Sequence, residues 1–298
     1  MPQMKRLNIT KHQVGMLYVV MSVFVFSLVN ALIKGTAARY PVNEVVFFRF
    51  FFSLIPTGII LYKMEGISGF KFKKLPLQTF RAAFGTLGLT CLFYAFGHMP
   101  LADAIAISFS VTLFSVIVAL PILKERPTQK HLIAILAGFS GILFIANPTG
   151  NVFTGVALLC IIGAFIDSIT LTTGRKLTLE KVSAEQISFF FGIVASILAG
   201  ISLLFWGVMP SSISDLISLM CMGLGGGFGQ YFMAKGFALA PTAVAAPMIY
   251  TASVWSIILG FAFWGEIPGF MSIIGMTLIV GSGLYISFLE SKKATAVH

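Results

Sequence analysis

The sequence is short of charge. Of its 298 residues only 10% are charged, with 20 Lys and Arg against 10 Asp and Glu. A typical soluble domain carries about 25% charged residues, so an ordinary water-facing surface is excluded. Histidine and cysteine are scarce as well. Of the four histidines, His12, His131 and His298 fall near termini or loops, which leaves His98 without a second histidine near it. Cys91, Cys160 and Cys221 lie in separate apolar segments at no metal-ligand spacing. That excludes a metal centre and a disulfide framework, and it leaves the thiols buried and inert. No cluster of nucleophile, base or metal ligand is present, so an intramembrane enzyme finds no support and no cofactor is implied.

What the chain has instead is apolar length. Hydrophobic residues make up 57% of it, more than a core absorbs, so lipid must face much of this surface. Ten runs of roughly 17–25 residues match the ~30 Å of hydrocarbon a helix must cross. They fall near 14–34, 43–62, 79–97, 101–123, 130–147, 153–172, 184–206, 213–234, 242–264 and 270–289. Their backbones must be helical, because hydrocarbon offers no partner to a free N–H or C=O. The expected fold is an all-α membrane protein of ten transmembrane helices. The connections are short, no soluble domain fits between the spans, and the first apolar run is too long for a cleaved signal.

The basic residues set an orientation. With the N-terminus in the cytoplasm, Lys63, Lys71, Lys73, Lys74, Arg81, Lys124, Arg126, Lys130, Arg175, Lys176 and Lys181 all fall inside or at the inner interface, while only Lys34 and Arg39 fall outside. This bias orients multi-pass proteins, and it predicts an inner-membrane protein with both termini cytoplasmic. The net charge of +10 is then the positive-inside signal. Nucleic acid is excluded as a partner, since the basic loops are short and scattered. The basic loop 63–78 fits contact with lipid headgroups.

The chain repeats itself without a gap at an offset of 141. Lys34 matches Arg175, Glu44 matches Glu185, Gly85 matches Gly226 and Gly88 matches Gly229. Pro100 matches Pro241, Ser115 matches Ser256, Glu125 matches Glu266 and Pro127 matches Pro268. Residues 1–147 and 148–298 form the halves, joined at the turn-rich Asn147–Asn151. Five spans per half is an odd number, so the second half enters from the opposite side. An inverted repeat of this kind builds secondary transporters, with two equivalent gates related by a pseudo-two-fold.

Several residues are candidates for chemistry. Asp167 lies deep in span six, where a carboxylate is costly and faces a cavity or a partner. It suits a proton relay or a cation-binding group, or else it is a packing acid bonded to a neighbouring serine. Its repeat mate is Phe26, so the symmetry is broken there. Lys34, beside Asn30, closes span one, and Arg175 closes span six; each is either an interfacial snorkel or a gate charge moving between Glu44 or Glu185 and cargo. Tyr94, Ser108, Gln230, Tyr250 and Trp255 supply rings and polar groups for a lining that stacks planar or cationic cargo. Arg49 either attracts an anionic group or pairs with Glu44. His98 and Asp103 flank an outer turn as a solvated pair. The glycines of Gly223–Gly229 lack phosphate-loop spacing and read as close helix packing.

The chain resembles the drug/metabolite transporter superfamily and, within it, the EamA-type proteins of two five-helix repeats. The segments that carry the likeness are Asn43-Glu44-Val45-Val46-Phe47-Phe48-Arg49-Phe50, Pro100-Leu101-Ala102-Asp103-Ala104, and Leu123-Lys124-Glu125-Arg126-Pro127 with its copy Trp264-Gly265-Glu266-Ile267-Pro268. The run Phe47–Ser53 is also similar to S-adenosylmethionine uptake carriers of intracellular bacteria. The resemblance implies a central cavity lined by spans one, three, four, six, eight and nine. It places span two, and so Arg49, away from that cavity. Its cargo range covers amino acids, nucleotide derivatives, vitamins and cationic drugs. The expected function is secondary transport of a small polar metabolite, S-adenosylmethionine or an amino-acid-like compound, accompanied by a proton, an exchanged metabolite or nothing. An efflux carrier is the alternative of the same class, and an enzyme or channel the alternative of another.

Overall fold

The computed structural model describes residues 11–37, 39–124, 129–146, 155–208, 210–240 and 245–296. Among the described residues the chain is helical, with no strand. We number ten elements. The first five are α1 (Lys11–Ala37), α2 (Val42–Phe70), α3 (Leu75–His98), α4 (Leu101–Leu123) and α5 (Gln129–Ala146). The second five are α6 (Gly155–Leu179), α7 (Ala184–Trp206), α8 (Ile213–Leu239), α9 (Met248–Trp264) and α10 (Phe270–Ala296). They coincide with the ten apolar runs of the sequence. The junction Asn147–Asn151, Glu125, Pro127 and Pro241 lie outside the described residues.

Seven elements, α1–α4 and α6–α8, are long and apolar enough to cross a membrane. Among the described residues, the other three hold shorter apolar stretches: Leu132–Ile145, Met248–Trp264 and Phe270–Ile286.

Hydroxyls inside the apolar helices are satisfied locally. Thr86 donates to Ala82 O (2.8 Å), Thr172 to Ser168 O (2.8 Å) and Ser196 to Gly192 O (2.7 Å), which lets polar side chains sit in hydrocarbon. Two N-termini are capped: Ser183 accepts from Gln186 N (3.2 Å) at α7, and Ser212 accepts from Asp215 N (3.1 Å) at α8.

Three elements are interrupted. In α2 the cause is Pro56, which has no N–H for Phe52 O. Ile55 N takes that carbonyl instead at 3.4 Å. In α4 the helix tightens around Phe109 and Ser110, where Ser110 N bonds Ile107 O at 2.9 Å. In α9 a tight 3-10 turn, Ala246–Thr251, precedes the regular helix. The α4 and α9 irregularities occupy equivalent repeat positions.

Packing follows the repeat. α1 lies along α8, and its equivalent α6 lies along α3; α5 pairs with α10, α2 with α7 and α4 with α9. The closest approaches need glycine. A Cβ on Gly88 would come within 3.2 Å of Gly163 O, and one on Gly141 within 2.6 Å of Gly275 O. Two aromatic contacts join a residue to its own repeat mate. Phe50 meets Phe191 edge-on at 4.9 Å, and Phe109 meets Tyr250 at 5.0 Å.

Candidate functional site

The functional site is best built from its two ends. Lys34 closes α1, and its ammonium donates to Met99 O (2.9 Å), just beyond the C-terminus of α3. It also ion-pairs with the Glu266 carboxylate after α9 and stands 5.3 Å from the Trp264 ring centroid. Glu266 in turn accepts from Leu101 N at 2.9 Å, at the start of α4. One ion pair therefore ties α1, the α3–α4 turn and the end of α9 together. Lys34 is 8% exposed. Its partner is Glu266 and not Glu44, which instead accepts from Val208 N at 3.1 Å after α7. Asp103 faces Lys34, Glu266 and Ser272. It does not pair with His98, whose ring stacks on Tyr94 at 4.0 Å. At this end Ala37 presses against Gly97, where an added Cβ would lie 2.5 Å from the Ala37 Cβ.

The other end is open. A cavity of about 650 Å³ is lined by Arg81, Ser115, Thr172, Arg175, Ser188 and Phe237 among others. A second pocket of about 310 Å³ adjoins it, sharing Ser188 and Phe237 and adding Glu185, Gln230 and Tyr231. Arg175, Thr178 and Ala184 on the rim are exposed. Because Arg81 lies in the second turn of α3 and Lys34 meets the residue after its last turn, the two ends are roughly 25 Å apart along that helix.

Deeper than the rim, Asp167 interacts electrostatically with Arg81. The two do not come within ion-pair contact. Ser168 does not serve Asp167; its hydroxyl donates to Phe165 O (2.6 Å). The Arg81 guanidinium lies 5.3 Å from the Phe191 ring centroid and 3.0 Å from where a Cβ on Gly174 would stand. Sequence reasoning put Arg81 at the inner interface as one more basic loop charge. The structure places it inside the bundle, between α6 and α7. A signal was available: Arg81 stands among Phe80, Ala82 and Ala83, already past the polar loop.

The remaining candidates divide. Gln230 and Glu185 line the open end. Lys34, Asn30 and Tyr94 belong to the closed end, Asn30 one turn before Lys34 in α1. Tyr94 is thus separated from the Arg81 cavity by most of α3. Tyr250 is buried against Phe109, and Trp255 sits edge-on to Phe24 at 4.8 Å. Ser108 donates to Ile105 O (2.7 Å) at the α4 irregularity. None of Tyr250, Trp255 and Ser108 lines the cavity at the Arg175 end. Arg49 does not pair with Glu44. It is 7% exposed, packs its guanidinium onto Gly226 and lies 5.4 Å from the Phe50 ring centroid. Among the described residues no group of three metal-ligating side chains occurs.

An all-helical multi-pass membrane protein with a solvent-reaching cavity at one end and a buried ion pair at the other has the form of a transporter. The chain belongs to the EamA-like transporter family, whose model matches residues 13–147 and again 154–288. It is similar to the pseudopaline exporter CntI of Pseudomonas aeruginosa (strain UCBPP-PA14), with 29% identity covering 92% of this chain and 95% of that one. It is also similar to the S-adenosylmethionine uptake transporter of Rickettsia prowazekii (strain Madrid E), with 24% identity covering 95% and 96%. A crystal structure with TM-score 0.64 and 18% identity covers 94% of this chain and 98% of its own, which shows a shared fold. The relatives are named as transporters and none of these as an enzyme. The chain is a membrane transporter of the drug/metabolite type.

Proposed function

We propose that the protein is a secondary active transporter that carries a small polar metabolite across the inner membrane by alternating access. The cargo class is S-adenosylmethionine or an amino-acid-like compound. The observation that carries this reading is a difference between equivalent helix pairs. α1 packs along α3 and closes at Ala37–Gly97. The equivalents α6 and α8 scarcely touch, the cavity lies between them, and the mates Thr178 and Ala238 are both exposed.

Two halves of opposite orientation, 1–147 and 148–298, account for this arrangement. Lys34 and Arg175 each end equivalent helices, yet they lie at opposite ends of α3. The contacts Phe50–Phe191 and Phe109–Tyr250 join equivalent positions, as residues beside a pseudo-two-fold axis must. A carrier built this way opens to the other side when its halves exchange conformations. Lys34, Glu44 and Glu266 then form the gate at one end, and Arg175 and Glu185 contribute to the gate at the other. The basic bias assigns the Arg175 end and both termini to the cytoplasm. Efflux of drugs or excess metabolites is the second reading, favoured by the exporter among the relatives.

Solute counterflow with purified protein in liposomes tests the reading without a guess about coupling. Saturable exchange of a preloaded compound for its labelled form outside is the expected result. Single-channel conductance, or covalent turnover of a lipid, in place of exchange would overturn it.

A further inference from the structure

We infer that Arg81 is a cargo-binding residue that takes a carboxylate of the cargo. The inference rests on the carrier reading above and narrows its cargo to compounds that carry a carboxylate.

The bland alternative for Arg81 is snorkelling. A helical side chain leans toward the helix N-terminus, which for α3 is the open end, and arginine commonly reaches the interface that way. The placement argues against it. The guanidinium turns between α6 and α7, over Phe191 and beside Gly174, and its Nε is fully buried with no acceptor among the described residues. The side chain as a whole is half-buried and lines the cavity, where an intramembrane cation needs a partner or a functional reason. The nearest anion, Asp167, interacts with it at more than ion-pair distance, and the Asp167 carboxylate accepts no hydrogen bond from a described residue.

Arg81 therefore lines the cavity with hydrogen-bonding capacity to spare. The planar guanidinium fork fits a carboxylate bidentately. The cavity wall supports the assignment, since the charged side chains it presents are Arg81 and Arg175, accompanied by the hydroxyls of Ser115, Thr172 and Ser188. Arg49, which is buried, is set against Gly226 on α8 and lines neither pocket at the Arg175 end, so the assignment falls on Arg81. The symmetry mate of Arg81 is Met222, so only the first half supplies this charge, as a single asymmetric cargo requires.

The test is counterflow of S-adenosylmethionine and methionine, each beside its decarboxylated analogue. Wild type is expected to exchange at least one parent compound and to show a half-saturation at least about tenfold higher for the matching analogue. Arg81→Gln should raise the parent's half-saturation about 10- to 100-fold and leave the analogue unchanged, so the discrimination vanishes. Arg81→Lys should retain part of it, because the charge stays while the fork is lost. If Arg81→Gln does not elute as a folded species, the Arg81→Lys comparison carries the test alone. Equal exchange of parent and analogue by wild type, or full discrimination in the Arg81 variant, overturns the inference. Failure of every carboxylate-bearing compound also overturns it. In that case exchange of a neutral or purely cationic compound in the same vesicles leaves the carrier reading standing, and no exchange of anything removes both.

Discussion

Glu44 and Glu185 are the same residue at the same repeat position, and the structure treats them differently. Glu44 is 1% exposed and holds the Val208 amide. Glu185 is half-buried and faces the pocket beside Gln230. The same contrast runs through the neighbouring mates: Lys34 is buried and Arg175 exposed, Phe96 is buried and Phe237 lines the cavity. Since the paired residues are alike in chemistry, the difference comes from how the helices are disposed. The Lys34 end is tied by its ion pair, with a pocket of about 410 Å³ beside it, and the larger cavity of about 650 Å³ lies at the Arg175 end; each end carries parts of the same kind. A repeat that can hold either disposition holds one at each end at a time, which is the physical content of alternating access.

The largest effect should come from breaking the ion pair at the closed end. Lys34 is enclosed, so Glu266→Gln leaves a buried charge without its anion, a loss on the order of 3–5 kcal/mol for a pair removed from water. The closed end should open, and counterflow should fall at least about tenfold. The charge-swapped double variant Lys34→Glu with Glu266→Lys should recover part of it. If Glu266→Gln exchanges normally, the pair is an interface anchor.

Next in size is Asp167→Asn, which should abolish proton-coupled or cation transport while leaving abundance and elution profile intact. Unaltered transport across the pH range would remove Asp167 from the mechanism. Smaller again is Gly97→Leu. Its side chain meets Ala37 at the closed end, so it should bias the protein toward opening there and slow exchange several-fold, whereas Ala238→Leu at the equivalent open position should do little. Similar effects from both would show that the two ends do not differ as described. The smallest effect belongs to Ser183→Ala. It removes the cap at the start of α7 and should lower stability by about 1 kcal/mol, read as a modest drop in melting temperature with transport unchanged.

Much of this architecture is legible in the chain itself. The offset that joins Lys34 to Arg175 and Gly88 to Gly229 announces two copies of one unit, and apolar length places the ten elements because hydrocarbon allows little but helix. The paucity of intramembrane charge isolates Asp167 as an exception. What is not legible is pairing across the fold. Glu266 stands 232 residues from Lys34, and no local pattern says that Lys34 pairs with it and not with the nearby Glu44. Arg81 was hidden by its company: it follows Lys71, Lys73 and Lys74, and a basic run reads as an interface even when its last member has entered the bundle. Tyr94, in a span that the resemblance gives to the lining, lies nearly four turns beyond Arg81 and stacks on His98. The irregularity of α2 follows from Pro56, whereas that of α4 has no proline, and only its matching position in α9 marks it as a feature of the repeat.

The most direct test of the central claim is a pair of distances in one sample. Spin labels at Gly35 and His98 report on the closed end, and labels at their mates Lys176 and Leu239 report on the open end, each pair measured by double electron–electron resonance with and without a cargo that supports counterflow. The account predicts reciprocal change: as cargo is added, a population appears in which the first distance lengthens and the second shortens. Two distances that lengthen together, or that stay fixed while exchange runs at full rate, would contradict it.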